Sequence, residues 1–128
     1  MPLCKEPIFI HEPTPLQCGQ AVLAMLSGVS VEEIIKTVGT DRETDLKMMF
    51  SALDAFGIEY EKTRVPVTKR GELPNICFLS LETPRCWHWS LYRDGKFYDP
   101  EHGVLDDFPK SKRKYYWKII SENRMRRI

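Results

Sequence analysis

Three side chains in this sequence have the types and the chain order that thiol chemistry requires. Cys18 opens the run Gln17-Cys18-Gly19-Gln20-Ala21-Val22-Leu23-Ala24-Met25-Leu26, His88 stands in Trp87-His88-Trp89, and Asp99 stands in Tyr98-Asp99-Pro100. Acyl transfer through sulfur needs a nucleophile, a base beside it and a group that orients the base. If Cys18 begins a helix, unpaired amides and the positive end of the helix dipole favour its thiolate, and a protonated His88 favours it further. The backbone N–H of Cys18 can donate to an oxyanion, and Gly19 lets a substrate approach the backbone closely.

The geometry of the base follows from one turn. Asp94-Gly95 between two strand-like runs predicts a two-residue hairpin loop, which pairs Arg93 with Lys96, Tyr92 with Phe97 and Ser90 with Asp99. Side chains alternate along a strand, so Cys86, His88, Ser90 and Tyr92 share one face. Asp99, opposite Ser90, lies on that face as a diagonal neighbour of His88, roughly 7–8 Å away at Cα and within side-chain reach. Its carboxylate can hold one imidazole nitrogen and leave the other for the thiol. In this register Trp87 and Trp89 point away from His88, which predicts packing in the core for both. Cys86-x-His88 is half of a zinc pattern that Cys77 or Asp99 would have to complete; no second spaced pair supports it, so no metal and no cofactor are expected.

These residues need elements to hold them. Residues 1–17 contain four prolines and predict an extended lead-in. A helix beginning at Cys18 is apolar on most sides and ends at Gly28. Ser30-Val31-Glu32-Glu33 has the capping-box form, with Val29 and Ile34 placed for a hydrophobic staple; the helix it starts turns Val31, Ile34, Ile35 and Val38 inward and ends at Gly39. A third helix starts within 41–46, carries the stripe Leu46, Met49, Phe50, Leu53 and Phe56, and stops at Gly57. The period then changes. Ile58 to Arg64 predicts a strand, 65–75 a connection, Ile76 to Leu81 a central strand, Cys86 to Asp99 the hairpin, and Tyr115 to Ile120 a last strand. Helices first and strands after predict an α+β fold with the first helix packed on an antiparallel sheet.

At 128 residues one domain spanning 1–128 is expected. The N-terminal residues lack the pattern of a signal peptide, and no apolar run approaches the roughly 20 residues of a membrane span, so a cytoplasmic location is expected, with signal-independent export left open. The four cysteines, Cys4, Cys18, Cys77 and Cys86, are then expected to be reduced. The net charge of +1 conceals an asymmetry: residues 109–128 carry eight Lys or Arg against Glu122, whereas 1–108 carry eleven against seventeen acids. The basic tail at 122–128 reads as a solvated terminus. No nucleic-acid module accompanies it, so a nucleic-acid partner is not expected; the thiol chemistry above points instead to a peptide or protein substrate. The oligomeric state is left open.

The combination resembles papain-like cysteine peptidases, and specifically the bacteriocin-processing (double-glycine leader) peptidase family of bacteria and its standalone relatives. Cys18-Gly19 at the head of an apolar helix, Met25 and Gly28 at its end, His88-Trp89, the Asp94-Gly95 turn and Asp99-Pro100 carry the resemblance over roughly residues 10–120. It implies a papain-like fold with Cys18 as nucleophile at the start of the central helix, His88 as base and Asp99 as orienting group. The family places an oxyanion-hole Gln about six residues before the Cys; Glu12 stands there in this chain, and Gln17 is a substitute donor. The implied chemistry is hydrolysis of a peptide or amide bond through an acyl-enzyme. The same three groups also serve a protein glutamine deamidase or transglutaminase, and a non-catalytic peptide-binding domain can keep the shape.

Overall fold

The computed structural model describes residues 9–84 and 86–121. Three helices come first: α1 (Cys18–Ser27), α2 (Val31–Val38) and α3 (Leu46–Ala55). Seven strands follow: β1 (Glu59–Tyr60), β2 (Val65–Pro66), β3 (Ile76–Glu82), β4 (Trp87–Arg93), β5 (Lys96–Asp99), β6 (Gly103–Leu105) and β7 (Lys114–Ser121). They form one antiparallel sheet in the order β1-β7-β3-β4-β5-β6, with β2 also paired to β7. The α+β layout with helices packed on an antiparallel sheet is as expected. The lead-in 1–8 and the basic tail 122–128 lie outside the described residues, as does Cys4.

Every residue of α1 is buried. One side meets α2 and α3; the other meets the sheet, where Val22, Leu23, Met25 and Leu26 share a core with Phe78, Leu91, Tyr98, Trp117 and Ile119. Phe78 and Trp117 stack at 5.2 Å between ring centroids, with Trp89 tilted against both. The opposite face of the sheet has a second core of Cys77, Leu79, Leu81, Tyr92 and Phe97, covered by Leu73, Leu105 and Phe108. β3 is therefore buried on both faces, which is why it reads as an unbroken apolar run. Full burial of one such side chain, Phe78 for example, contributes about 1.5–3 kcal/mol relative to exposure.

The caps follow local sequence. Ser30 Oγ accepts the Glu33 N–H at 3.1 Å, and Asp45 Oδ1 accepts the Met48 N–H at 2.9 Å. In α2 only Ile34 is fully buried; Val31, Ile35 and Val38 are not, because this short helix lies at the edge of the helical layer. The strand expected over 58–64 is cut to Glu59–Tyr60 by a register irregularity against β7, and Glu61 to Arg64 are exposed. The connection expected over 65–75 contains β2, which rejoins β7 through Val65 opposite Tyr116, and a 3-10 turn at Arg70–Glu72. β6, which the sequence reading did not anticipate, continues the sheet beyond β5.

Candidate active site

Cys18 is the first residue of α1, so its N–H has no carbonyl partner within the helix. No acidic residue lies in the first turn to offset the positive dipole end there. Cys18 is 8% exposed. It sits where the sheet opens: backbone pairing of β4 with β5 runs through Arg93, Tyr92 and Leu91 and stops, and the Trp89 N–H beyond that point is donated to Cys18 Sγ at 3.4 Å. The sulfur therefore lies beside the β4 backbone, within reach of side chains from either face of the strand.

The hairpin has the anticipated register, with Arg93 opposite Lys96 and Tyr92 opposite Phe97. Asp94 and Gly95 both have positive φ, +50° and +91°, as a turn matched to strand twist requires. His88, Ser90 and Asp99 consequently share a face and are buried. His88 Nε2 donates to Asp99 Oδ1 at 3.0 Å. Nδ1, the other ring nitrogen, takes no part in this bond. Donor atoms of Cys18, His88 and Glu12 all lie within 4.8 Å of one another.

Asp99 is held on every side. Oδ1 also accepts the His102 ring Nδ1–H at 2.9 Å and the backbone N–H groups of Glu101 and His102 at 3.0 Å each, and Oδ2 accepts the Ser90 hydroxyl at 2.8 Å. Burial pushes the Asp99 carboxyl up, but hydrogen bonding and charge from His88, with Ser90 and His102, bring it down to about 2. Burial pushes His88 down; hydrogen bonding and charge from Asp99 and Cys18 outweigh this and raise it to about 10. His88 is thus held in its protonated form through the neutral range beside the sulfur. In the sequence Ser90 is only a register mark, and no motif singles out His102. An Asp followed by a turn, with a hydroxyl on the facing position, is the local signal for both partners.

Glu12 is 6% exposed. Its N–H donates to the Pro100 carbonyl at 2.9 Å, which fastens the lead-in beside the residue that follows Asp99. Its Oε1 is buried and has no hydrogen-bond partner among the described residues. Burial raises the carboxyl above its ordinary value; the His88 charge opposes this, Glu101 and Asp99 reinforce it, and His11 opposes it.

Three expectations change. Gln17, considered as an oxyanion donor, gives its amide N–H to the Asp41 carbonyl at 2.9 Å and so is committed to the 40–42 loop. Gln20, unassigned from sequence, bonds the Thr40 and Arg42 carbonyls of the same loop at 3.0 and 2.8 Å. Gly19 does not face substrate: a Cβ there would run into Thr44 Oγ1 and press on Trp89, so it is small because that loop packs against it. Trp89 packs in the core and donates its indole N–H to the Thr44 carbonyl at 3.0 Å, but Trp87 is 45% exposed and stacks on Tyr115. Both indoles line a cavity of about 270 Å³ with Leu16, Cys18, Thr44 and Cys86. This cavity opens onto the sulfur.

Cys77 and Cys86 do not join His88 in any metal-competent cluster among the described residues; the groups with suitable spacing are Glu12, Cys18 and His88, and His88, Asp99 and His102. In the second, Asp99 is already filled by N–H and O–H donors. Neither trio is assigned to a metal. Cys18, Cys77 and Cys86 are free thiols. Among the described residues no helix is long and apolar enough to cross a membrane. No protein-family model and no curated protein matches this chain.

Proposed function

We propose that this chain is a papain-like thiol hydrolase that cleaves a peptide or amide bond through an acyl-enzyme on Cys18. The observation that carries the reading is the convergence of Cys18, His88 and Asp99 from a helix N-terminus and two hairpin strands, with the His88–Asp99 bond at 3.0 Å. Cys18 sulfur attacks the carbonyl carbon, and the carbonyl π electrons move to oxygen. The Cys18 N–H is free to donate to that oxygen. Collapse of the adduct expels the amine, which takes a proton from His88. Water, deprotonated by His88, then attacks the thioester carbonyl; the C–S bond breaks, the acid is released, and the Cys18 thiolate is restored beside the protonated His88. Asp99 holds the ring orientation and balances the imidazolium.

The cavity lined by Trp87, Trp89 and Leu16 supports an acyl-side group with apolar surface. Hydrolysis of a backbone amide and of a glutamine side chain use the same steps and differ only in the carbonyl presented. The test is mass spectrometry of a protein mixture incubated with the wild-type protein or with Cys18→Ala. New backbone termini indicate a peptidase, Gln converted to Glu a deamidase, and Gln–Lys cross-links a transglutaminase. Identical spectra for the two proteins overturn the reading.

A further inference from the structure

Glu12 is a buried carboxyl beside the proposed nucleophile with one oxygen unused. The groups facing it are Cys18 from α1, His88 from β4, Asp99 from β5, Glu101 just after β5, and its neighbour His11. An ionised carboxylate here would have a buried, unpartnered oxygen next to Asp99, and it would repel an oxyanion formed on the substrate. A neutral carboxylic acid removes both the buried charge and the repulsion. It carries an O–H that needs an acceptor, and the apo site supplies none to Oε1 among the described residues.

We propose that Glu12 acts as a neutral carboxylic acid whose O–H donates a hydrogen bond to the oxyanion formed when Cys18 attacks a substrate carbonyl. This deepens the thiol-hydrolase reading and rests on it. As the S–C bond forms and the carbonyl π pair moves to oxygen, that oxygen accepts two hydrogen bonds: the Cys18 N–H from the helix terminus and the Glu12 O–H from the lead-in. No proton is transferred to the oxyanion; Glu12 keeps it, and the leaving amine takes its proton from His88. The Glu12 N–H bond to Pro100 fixes the donor to the segment that carries Asp99, so donor and base are positioned together. The upward shift of the Glu12 carboxyl, caused first by burial, agrees with the neutral form.

Two probes separate this role from the chemistry it rests on. Iodoacetamide alkylates Cys18 by displacement at a saturated carbon and forms no oxyanion. p-Nitrophenyl acetate acylates Cys18 through an oxyanion and releases p-nitrophenolate. Glu12→Ala is expected to lower the ratio of acylation to alkylation by about 10²–10³-fold, the usual loss for one oxyanion donor. Glu12→Gln, an isosteric amide donor, is expected to keep the ratio within about threefold at acidic pH. It is also expected to remove a wild-type decline in acylation as the pH rises and Glu12 ionises. A Glu12→Ala ratio equal to wild type overturns the proposal. So does a Glu12→Gln protein that loses acylation tenfold or keeps the same decline. Wild-type protein in which neither probe reacts at Cys18 defeats the thiol-hydrolase reading itself, and this proposal with it.

Discussion

His88 and Asp99 are joined at 3.0 Å in a part of the sheet where backbone pairing between their strands has already ended at Leu91 and Tyr98. The connection there is made by side chains: Ser90 Oγ holds Asp99 Oδ2 at 2.8 Å while His88 holds Oδ1. The opened strand edge is what admits the Cys18 sulfur to the Trp89 N–H. Asp99→Asn is therefore expected to keep the fold and lose about 10²–10⁴-fold in p-nitrophenyl acetate turnover, because the amide can stabilise the wrong tautomer and cannot balance an imidazolium. Ser90→Ala keeps the carboxylate and is expected to cost about 1.5–3 kcal/mol of stability with a smaller loss of turnover. His88→Ala and Asp99→Asn are expected to be non-additive, as residues acting on one proton are. Undiminished turnover by Asp99→Asn would remove Asp99 from the mechanism.

The same pair makes stability depend on pH in a defined way. His88 is raised from 6.5 to about 10, so its contribution is complete below about 6.5 and lost as pH rises through 10. Asp99 is lowered from 3.8 to about 2, so its contribution is present above 3.8 and lost as pH falls through 2. The difference in unfolding free energy between wild type and Asp99→Asn, measured in urea, is expected to be largest between these limits and to shrink on both sides. A difference that is flat from pH 3 to pH 10 would show that the pair is not electrostatically coupled.

The hairpin was legible because Asp94-Gly95 permits two consecutive positive φ values and thereby sets the register of every facing residue up to Asp99. That register puts His88, Ser90 and Asp99 on one face. Helix starts at Cys18, Ser30 and Asp45 were legible, exactly or within the expected window, for equally local reasons. Glu12 could be aligned by its distance from Cys18, but its environment could not be read, because its position depends on a hydrogen bond to Pro100, far along the chain. The roles of Gln17, Gln20 and Gly19 were hidden for the same reason. All three are explained by the 40–44 loop docking on α1, which no sequence period announces. Trp87 alternates with His88 as a core residue would, yet the sheet ends beside it and leaves it exposed.

The three described thiols have distinct environments and are expected to differ in alkylation. Cys77 is fully buried, and burial pushes its thiol far above the ordinary value, so iodoacetamide should modify it only after unfolding. Cys86 is exposed and should react in the native protein. Cys18 lines the cavity beside a protonated His88 and should react in the native protein, with labelling reduced roughly tenfold or more in His88→Ala. Peptide mapping by mass spectrometry reads all three sites at once. Equal labelling of Cys18 in wild type and His88→Ala at pH 6 would show that the histidine does not activate the sulfur.

Gly19 tests how the loop at 40–44 supports the site. A methyl group on Gly19 would clash with Thr44 Oγ1 and crowd Trp89 Cδ1 at 3.0 Å and Met49 Sδ at 3.3 Å. Thr44 cannot simply withdraw, because its carbonyl accepts the Trp89 indole N–H and the preceding residues are tied to Gln17 and Gln20. Gly19→Ala lies inside a helix, where alanine is intrinsically favoured by up to about 1 kcal/mol, so helix propensity alone predicts stabilisation. Overpacking acts in the opposite direction, at about 1–3 kcal/mol, and the backing by Trp89 and Met49 leaves little room to relax. The expected result is a net loss of stability in urea unfolding together with reduced p-nitrophenyl acetate turnover, since a displaced loop shifts Trp89, whose N–H contacts the Cys18 sulfur. A Gly19→Ala protein as stable as wild type and equally active would mean that the loop yields freely and does not position the thiol.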